Sequence, residues 1–142
     1  MKLEKTYKEV FELEQAAAFY IQKNEEVKNK MTESIRLFFK QVQKIREKYN
    51  DELSMLRIDN AAVDEKTKVL LMDEKGNYKF TKEGAKALIE GNKQLLETKV
   101  TVHTRICNEV PSDLADEQKE IFAGVLIPVL ATEEVKPTEN AE

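Results

Sequence analysis

Apolar residues recur at helical spacing through a run from Glu25 to Arg57 that contains neither proline nor glycine. Ile35, Val42, Tyr49 and Leu56 follow at intervals of seven, and Met31, Phe38 and Ile45 do the same on the adjoining face. This four-three alternation is a coiled-coil-type seam, so the run predicts one long helix. At about 1.5 Å per residue the helix would extend roughly 50 Å. A chain of 142 residues cannot bury such a rod in a compact ball. The seam therefore needs a partner: another helix of the chain, a second copy, or a different protein. The expected interface is Met31, Ile35, Phe38, Val42, Ile45 and Tyr49. Phe39 and Leu37 widen the apolar arc beyond a strict seam, which implies either two neighbours or an exposed contact patch.

Thr6-Tyr7-Lys8-Glu9 matches a capping box and opens a preceding helix whose apolar face is Val10, Leu13, Ala17, Tyr20 and Ile21, with Phe11 at its margin. Lys23-Asn24 is the expected break. The long helix fades after Leu56 and ends at Asp59-Asn60. Val69 to Met72, a turn at Gly76-Asn77, and Tyr78-Lys79-Phe80 read as a β-hairpin, with Gly76 supplying a positive φ. Thr81 is a natural N-cap for a helix from Lys82 to Thr98, in which Gly84 and Gly91 mark either close packing or tolerated positions. Lys99 to Cys107 alternates as a strand, Val100, Val102, Thr104 and Ile106 on one face and Thr101, His103, Arg105 and Cys107 on the other. It is expected to pair with the hairpin. A short helix follows Pro111-Ser112-Asp113, and the apolar segment Val125 to Leu130 docks on the core or on a neighbour. The expected fold is α+β: a long coiled-coil-like helix with additional helices and a small three-stranded antiparallel sheet. One helical-rich domain covers residues 1–130, its sheet near 69–107, and residues 131–142 form an acidic, disordered tail.

Charge changes this picture in two places. From Glu109 to Glu142 there are nine acids and two lysines, whereas Lys28 to Lys48 holds seven bases and two acids. Arg36, Lys40, Lys44 and Lys48 form a basic stripe on one slowly turning helix face. Such a stripe fits nucleic acid, an acidic partner, or an ordinary solvated face. Overall acidity and the lack of interleaved aromatics argue against a dedicated nucleic-acid binder. The single cysteine, Cys107, excludes an intrachain disulfide and fits a reducing compartment. No apolar run is long enough to span a membrane, and the charged N-terminus lacks a signal-peptide core. The expected location is the cytoplasm, a bacterial host's cytoplasm or the inside of a phage particle.

Candidate chemistry is sparse. His103, the only histidine, and Cys107 would lie about 13 Å apart along a strand, too far for a nucleophile–base pair or a shared metal. The acidic pairs sit at helix ends and turns, where solvent is the expected environment. Four scattered glycines form no phosphate-binding loop. No catalytic, cofactor or metal site is expected.

Three stretches, Lys40–Tyr49, Asp73–Phe80, and Asn92-Lys93-Gln94-Leu95-Leu96-Glu97 leading into Val100-Thr101-Val102, carry a resemblance. The layout of Lys28 to Leu130 resembles small phage and prophage proteins of unassigned function. Those have a charged helical N-terminal half, an acidic turn with Gly-Asn, a helix ending in a leucine pair, and a Val-x-Val strand. The resemblance implies a phage-encoded accessory protein without an enzymatic site. The expected function is a non-catalytic interaction protein that self-associates through its long helix as a virion or assembly component, with host or virion proteins as further partners. The alternatives are a small inhibitor or sequestering protein directed at a host enzyme or defence factor, and a weak nucleic-acid binder using the basic stripe.

Overall fold

The computed structural model describes residues 2–129. The elements in chain order are β1 (Lys2–Thr6), α1 (Tyr7–Lys23), α2 (Lys30–Asn60), α3 (Lys82–Leu96), β2 (Lys99–His103) and α4 (Asp116–Phe122). The described chain is thus four helices and a two-stranded antiparallel sheet. The described residues fall into two compact units: 2–44 with 99–129, and Ile45–Thr98. The long helix begins in one and ends in the other. The expected acidic tail, 131–142, and Leu130 of the apolar end segment lie outside the described residues.

In the first unit β2 pairs with β1, Lys2 opposite His103 and Thr6 opposite Lys99. This corrects the expected three-stranded sheet: the Val69–Phe80 hairpin is not its neighbour. The partner strand, Lys-Leu-Glu-Lys-Thr, has one apolar residue and no alternation to betray it. Its pairing comes from tertiary context, which commonly overrides strand propensity. Thr6 ends this strand and caps α1. Its hydroxyl accepts from the Glu9 N–H at 3.1 Å, and Glu9 Oε1 accepts from the Thr6 N–H at 2.9 Å. β2 ends at His103. The predicted alternation breaks beyond it: Cys107, expected on the face opposite Val100, Val102 and Thr104, is buried as they are.

The core of this unit draws on α1, the start of α2, β2 and the segment around α4. Val10, Leu13, Ala17 and Tyr20 of α1, Met31, Ile35, Phe38 and Val42 of α2, and Val100 and Val102 of β2 are buried. Leu114, Phe122 and Val125–Ile127 join them. The last segment is tied down by backbone: the Cys107 N–H donates to the Leu126 carbonyl at 2.7 Å, and the Phe122 carbonyl accepts from Val125, Leu126 and Ile127. α2 starts later than the apolar pattern suggests because Asn29 caps it. Asn29 Oδ1 accepts from the Thr32 N–H at 2.8 Å and Thr32 Oγ1 from the Asn29 N–H at 3.0 Å. α4 starts at Asp116 rather than near Pro111, whose carbonyl accepts from the Leu114 N–H in a turn.

The second unit consists of the end of α2, a bridged loop and α3. Of the predicted hairpin one isolated bridge is present, Met72 to Tyr78, and a second bridge, Val63 to Leu70, joins the expected connector to its first strand. Three backbone bonds close a triangle: Ala62 N–H to Lys79, Leu71 N–H to Ala62, and Lys79 N–H to Leu71. Gly76 takes φ 82° in the turn, as a residue without Cβ does readily. Thr81 caps α3, its hydroxyl accepting from the Gly84 N–H at 3.0 Å. α2 and α3 approach closely at the two glycines. A Cβ on Gly84 would collide with the Asn60 carbonyl oxygen, and one on Gly91 would meet Leu56 Cδ2 at 3.1 Å.

Candidate interaction surfaces

The expected seam splits along its length. Met31, Ile35 and Phe38 have no exposed surface and Val42 has 1%. These four are core of the single chain and present nothing to a second copy, which corrects their assignment as an interface. The apolar face of α1 and the β2–α4 end of the chain contribute to the same core. Further along α2, Ile45 and Tyr49 are only half-buried. The Tyr49 hydroxyl and Asn92 Oδ1 of α3 are hydrogen-bonded at 2.5 Å. The basic stripe Arg36, Lys40, Lys44 and Lys48 is exposed throughout. Phe39 is half-buried and Leu37 is 43% exposed, so the widened apolar arc reaches solvent on one side.

The second unit has an unusual distribution of apolar surface. None of its residues, Ile45 to Thr98, is buried. The α3 stripe Ala85, Leu88, Leu95 and Leu96 and the α2 positions Leu53 and Leu56 are half-covered. Met55, Ile58, Val63, Val69, Leu71, Met72 and Ile89 are exposed, Ile89 at 70%. Among the described residues, seven of the thirteen exposed large apolar side chains therefore lie in this unit. Pieces of this size bury a small share of their surface and are marginal alone. Asp64 and Asp73 hold its two turns. Asp64 Oδ1 accepts from the Lys66 and Thr67 N–H groups, and Asp73 Oδ1 from those of Lys75 and Asn77. These bonds, to Thr67 first at Asp64 and to Asn77 first at Asp73, keep both carboxyls below the usual aspartate range.

A groove of about 720 Å³ runs between α1 and α4. Its lining includes the apolar side chains of Leu13, Ala16, Phe19, Ile121 and Val125. Phe19 is 52% exposed and Ile121 44%. Glu9, Glu12 and Glu117 also line it, with Lys5 as the one base. Glu9 is committed to the α1 cap, and its bond to the Thr6 backbone keeps its carboxyl below the usual range. Glu12 and Glu117 form no salt bridge with a described residue. Lys23 Nζ lies 4.5 Å from the centre of the Phe19 ring. Sequence reasoning missed this groove. The available signal was Phe19, a large apolar residue off the Val10–Leu13–Ala17–Tyr20 face.

His103 is exposed at the end of β2, while Cys107 is buried with its thiol 3.3 Å from the Glu109 carbonyl. Among the described residues no three His, Cys, Asp or Glu side chains converge to hold a metal ion, and no helix is long and apolar enough to cross a membrane. A second hollow, beside Lys28, Lys30, Arg36 and Glu109 at the start of α2, has Thr32 and Asn29 in its wall, both engaged in the helix cap. Arg105 and Glu33 pair nearby at 2.6 Å, both about half exposed, where ion pairs contribute little. No protein-family model matches the chain, and comparison with curated proteins and with solved structures finds no match.

Proposed function

We propose that this chain is a non-catalytic interaction protein that self-associates through its second unit. The observation that carries the reading is the absence of any buried residue from Ile45 to Thr98, with seven large apolar side chains exposed there. Solvent-exposed apolar surface costs about 25 cal/mol per Å², and covering it favours association. A second copy suits this surface because the unit is nearly neutral, with ten basic and eleven acidic side chains. Two copies meet without net repulsion, and closed pairs are the commonest assembly of identical chains. The long helix still supplies the contact, through its distal half together with α3 and the bridged loop. The phage or prophage setting, as an accessory or virion-assembly component, rests on the resemblance of Lys40–Tyr49, Asp73–Phe80 and Asn92–Val102 alone.

The test is a pair of exposed substitutions, Met55→Asp and Ile89→Asp, made together. At about 0.5 M salt, where exposed charge pairs are screened, the variant is expected to run as a monomer where the parent is a dimer or larger, with its helical circular dichroism retained. A variant that keeps the parent's mass moves the contact elsewhere. The alternative of an inhibitor directed at a host factor gains ground if the parent itself is a monomer at all concentrations.

A further inference from the structure

The groove between α1 and α4 has a complement on the same chain. Its floor is apolar, with Phe19 and Ile121 half in solvent, and Glu12 and Glu117 are open carboxylates along it. On the outer face of α2, Leu37 is 43% exposed and stands among exposed Arg36, Lys40 and Lys44. Positions 37, 40 and 44 follow helical three-four spacing, so Leu37 is followed by two cations on one ridge, while the exposed Glu33 one turn before it is paired with Arg105. The ridge from Arg36 to Lys44 is about 12 Å long, and Glu12 to Phe19 spans about 10 Å of α1. Sign, apolar content and length all correspond. Aromatic faces attract cations, and the Phe19 ring already holds Lys23 over it.

We infer that the α1–α4 groove of one copy receives the Arg36–Leu37–Lys40–Lys44 ridge of a second copy. Groove and ridge are different surfaces, so each contact joins unlike surfaces of two copies. Two such contacts close a reciprocal pair, or each copy keeps a free groove and a free ridge and assembly proceeds to a ring or an open chain. The contact uses no residue of the second unit. It stands or falls separately from the self-association proposed above. Its two solvent-exposed carboxylates and three exposed cations make it sensitive to salt, because charges further apart than the Debye length are screened. The apolar contact of the second unit is not sensitive in this way.

Charge reversal tests this directly. Sedimentation velocity is run at about 0.02 M and about 0.5 M salt on the full chain, on E12K/E117K, on K40E/K44E, and on an equal mixture of the two variants. The parent is expected to show at least about a twofold larger mean mass at low salt than at high salt. Each variant alone carries like charge on groove and ridge and loses that salt-dependent increment. The mixture regains it, since both groove–ridge combinations then have opposite sign. All four substituted positions are exposed. Should a reversal variant fail to fold, K40Q/K44Q replaces it and is expected to lose the increment without rescue. The inference is overturned if the parent has no salt-dependent increment, if either variant keeps it, or if the mixture does not restore it. A parent that gains mass only on addition of an unrelated basic helical peptide likewise overturns it, assigning the groove to another protein.

Discussion

Thr6 is the residue on which the first unit turns from strand to helix. Its hydroxyl and Glu9 satisfy two N–H groups that the helix itself leaves open. Thr6→Ala should cost about 1 kcal/mol in urea unfolding, and an unchanged midpoint would remove the cap from the account. At Gly84 two effects oppose each other. Alanine gains about 1 kcal/mol of helix propensity, but its Cβ collides with backbone that cannot swing aside, the Asn60 carbonyl. Overpacking of about 1–3 kcal/mol should win, so Gly84→Ala lowers the urea midpoint of the second unit. Asp64 and Asp73 carry a pH dependence. Each carboxyl is held below its ordinary value by backbone N–H bonds to its charged form. Their stabilisation is complete above the unfolded aspartate value, about 3.9, and is lost as pH falls through the depressed one. The amide resonances of Lys66, Thr67, Lys75 and Asn77 should titrate with midpoints below about 3.9. Midpoints at or above that value would contradict the bonding.

At the scale of elements, the helices were legible because periodicity and caps agreed. Thr6 and Thr81 begin helices as their sequences suggest, and Asn60 ends the long one. The turn at Gly76 was legible for the same reason: it needs one residue with positive φ, and local chemistry supplies it. The sheet was not legible. Lys2–Thr6 carries no strand pattern, and its pairing with Lys99–His103 joins segments far apart in the sequence, a match no local rule selects. The seam was seen but its meaning was not. A heptad pattern shows that one face is covered and leaves open by what. Phe38 separates the two meanings. Buried entirely within one chain, its replacement by alanine should cost about 3–5 kcal/mol, and that cost should not vary with protein concentration. A cost that grows with dilution would place Phe38 back at an interface between copies.

Across the molecule, burial is uneven, and function is read from that unevenness. The first unit closes a core from α1, the start of α2, β2 and the segment around α4. The second has half-covered helices and exposed Met55, Val69, Met72 and Ile89. Sequence composition could not show this, because the seven-residue spacing runs through Met31 and Leu56 alike. Only the packing shows that the proximal half is filled and the distal half is not. The groove was invisible for a related reason: it is made by α4 settling beside α1, and neither helix advertises it alone. The central claim is that the second unit is completed by another copy. The most direct measurement is the solution mass of the intact protein by light scattering over a dilution series at about 0.5 M salt, where exposed charge pairs are screened. The account predicts a dimer or larger species that dissociates only on dilution. A monomer at every concentration would contradict it.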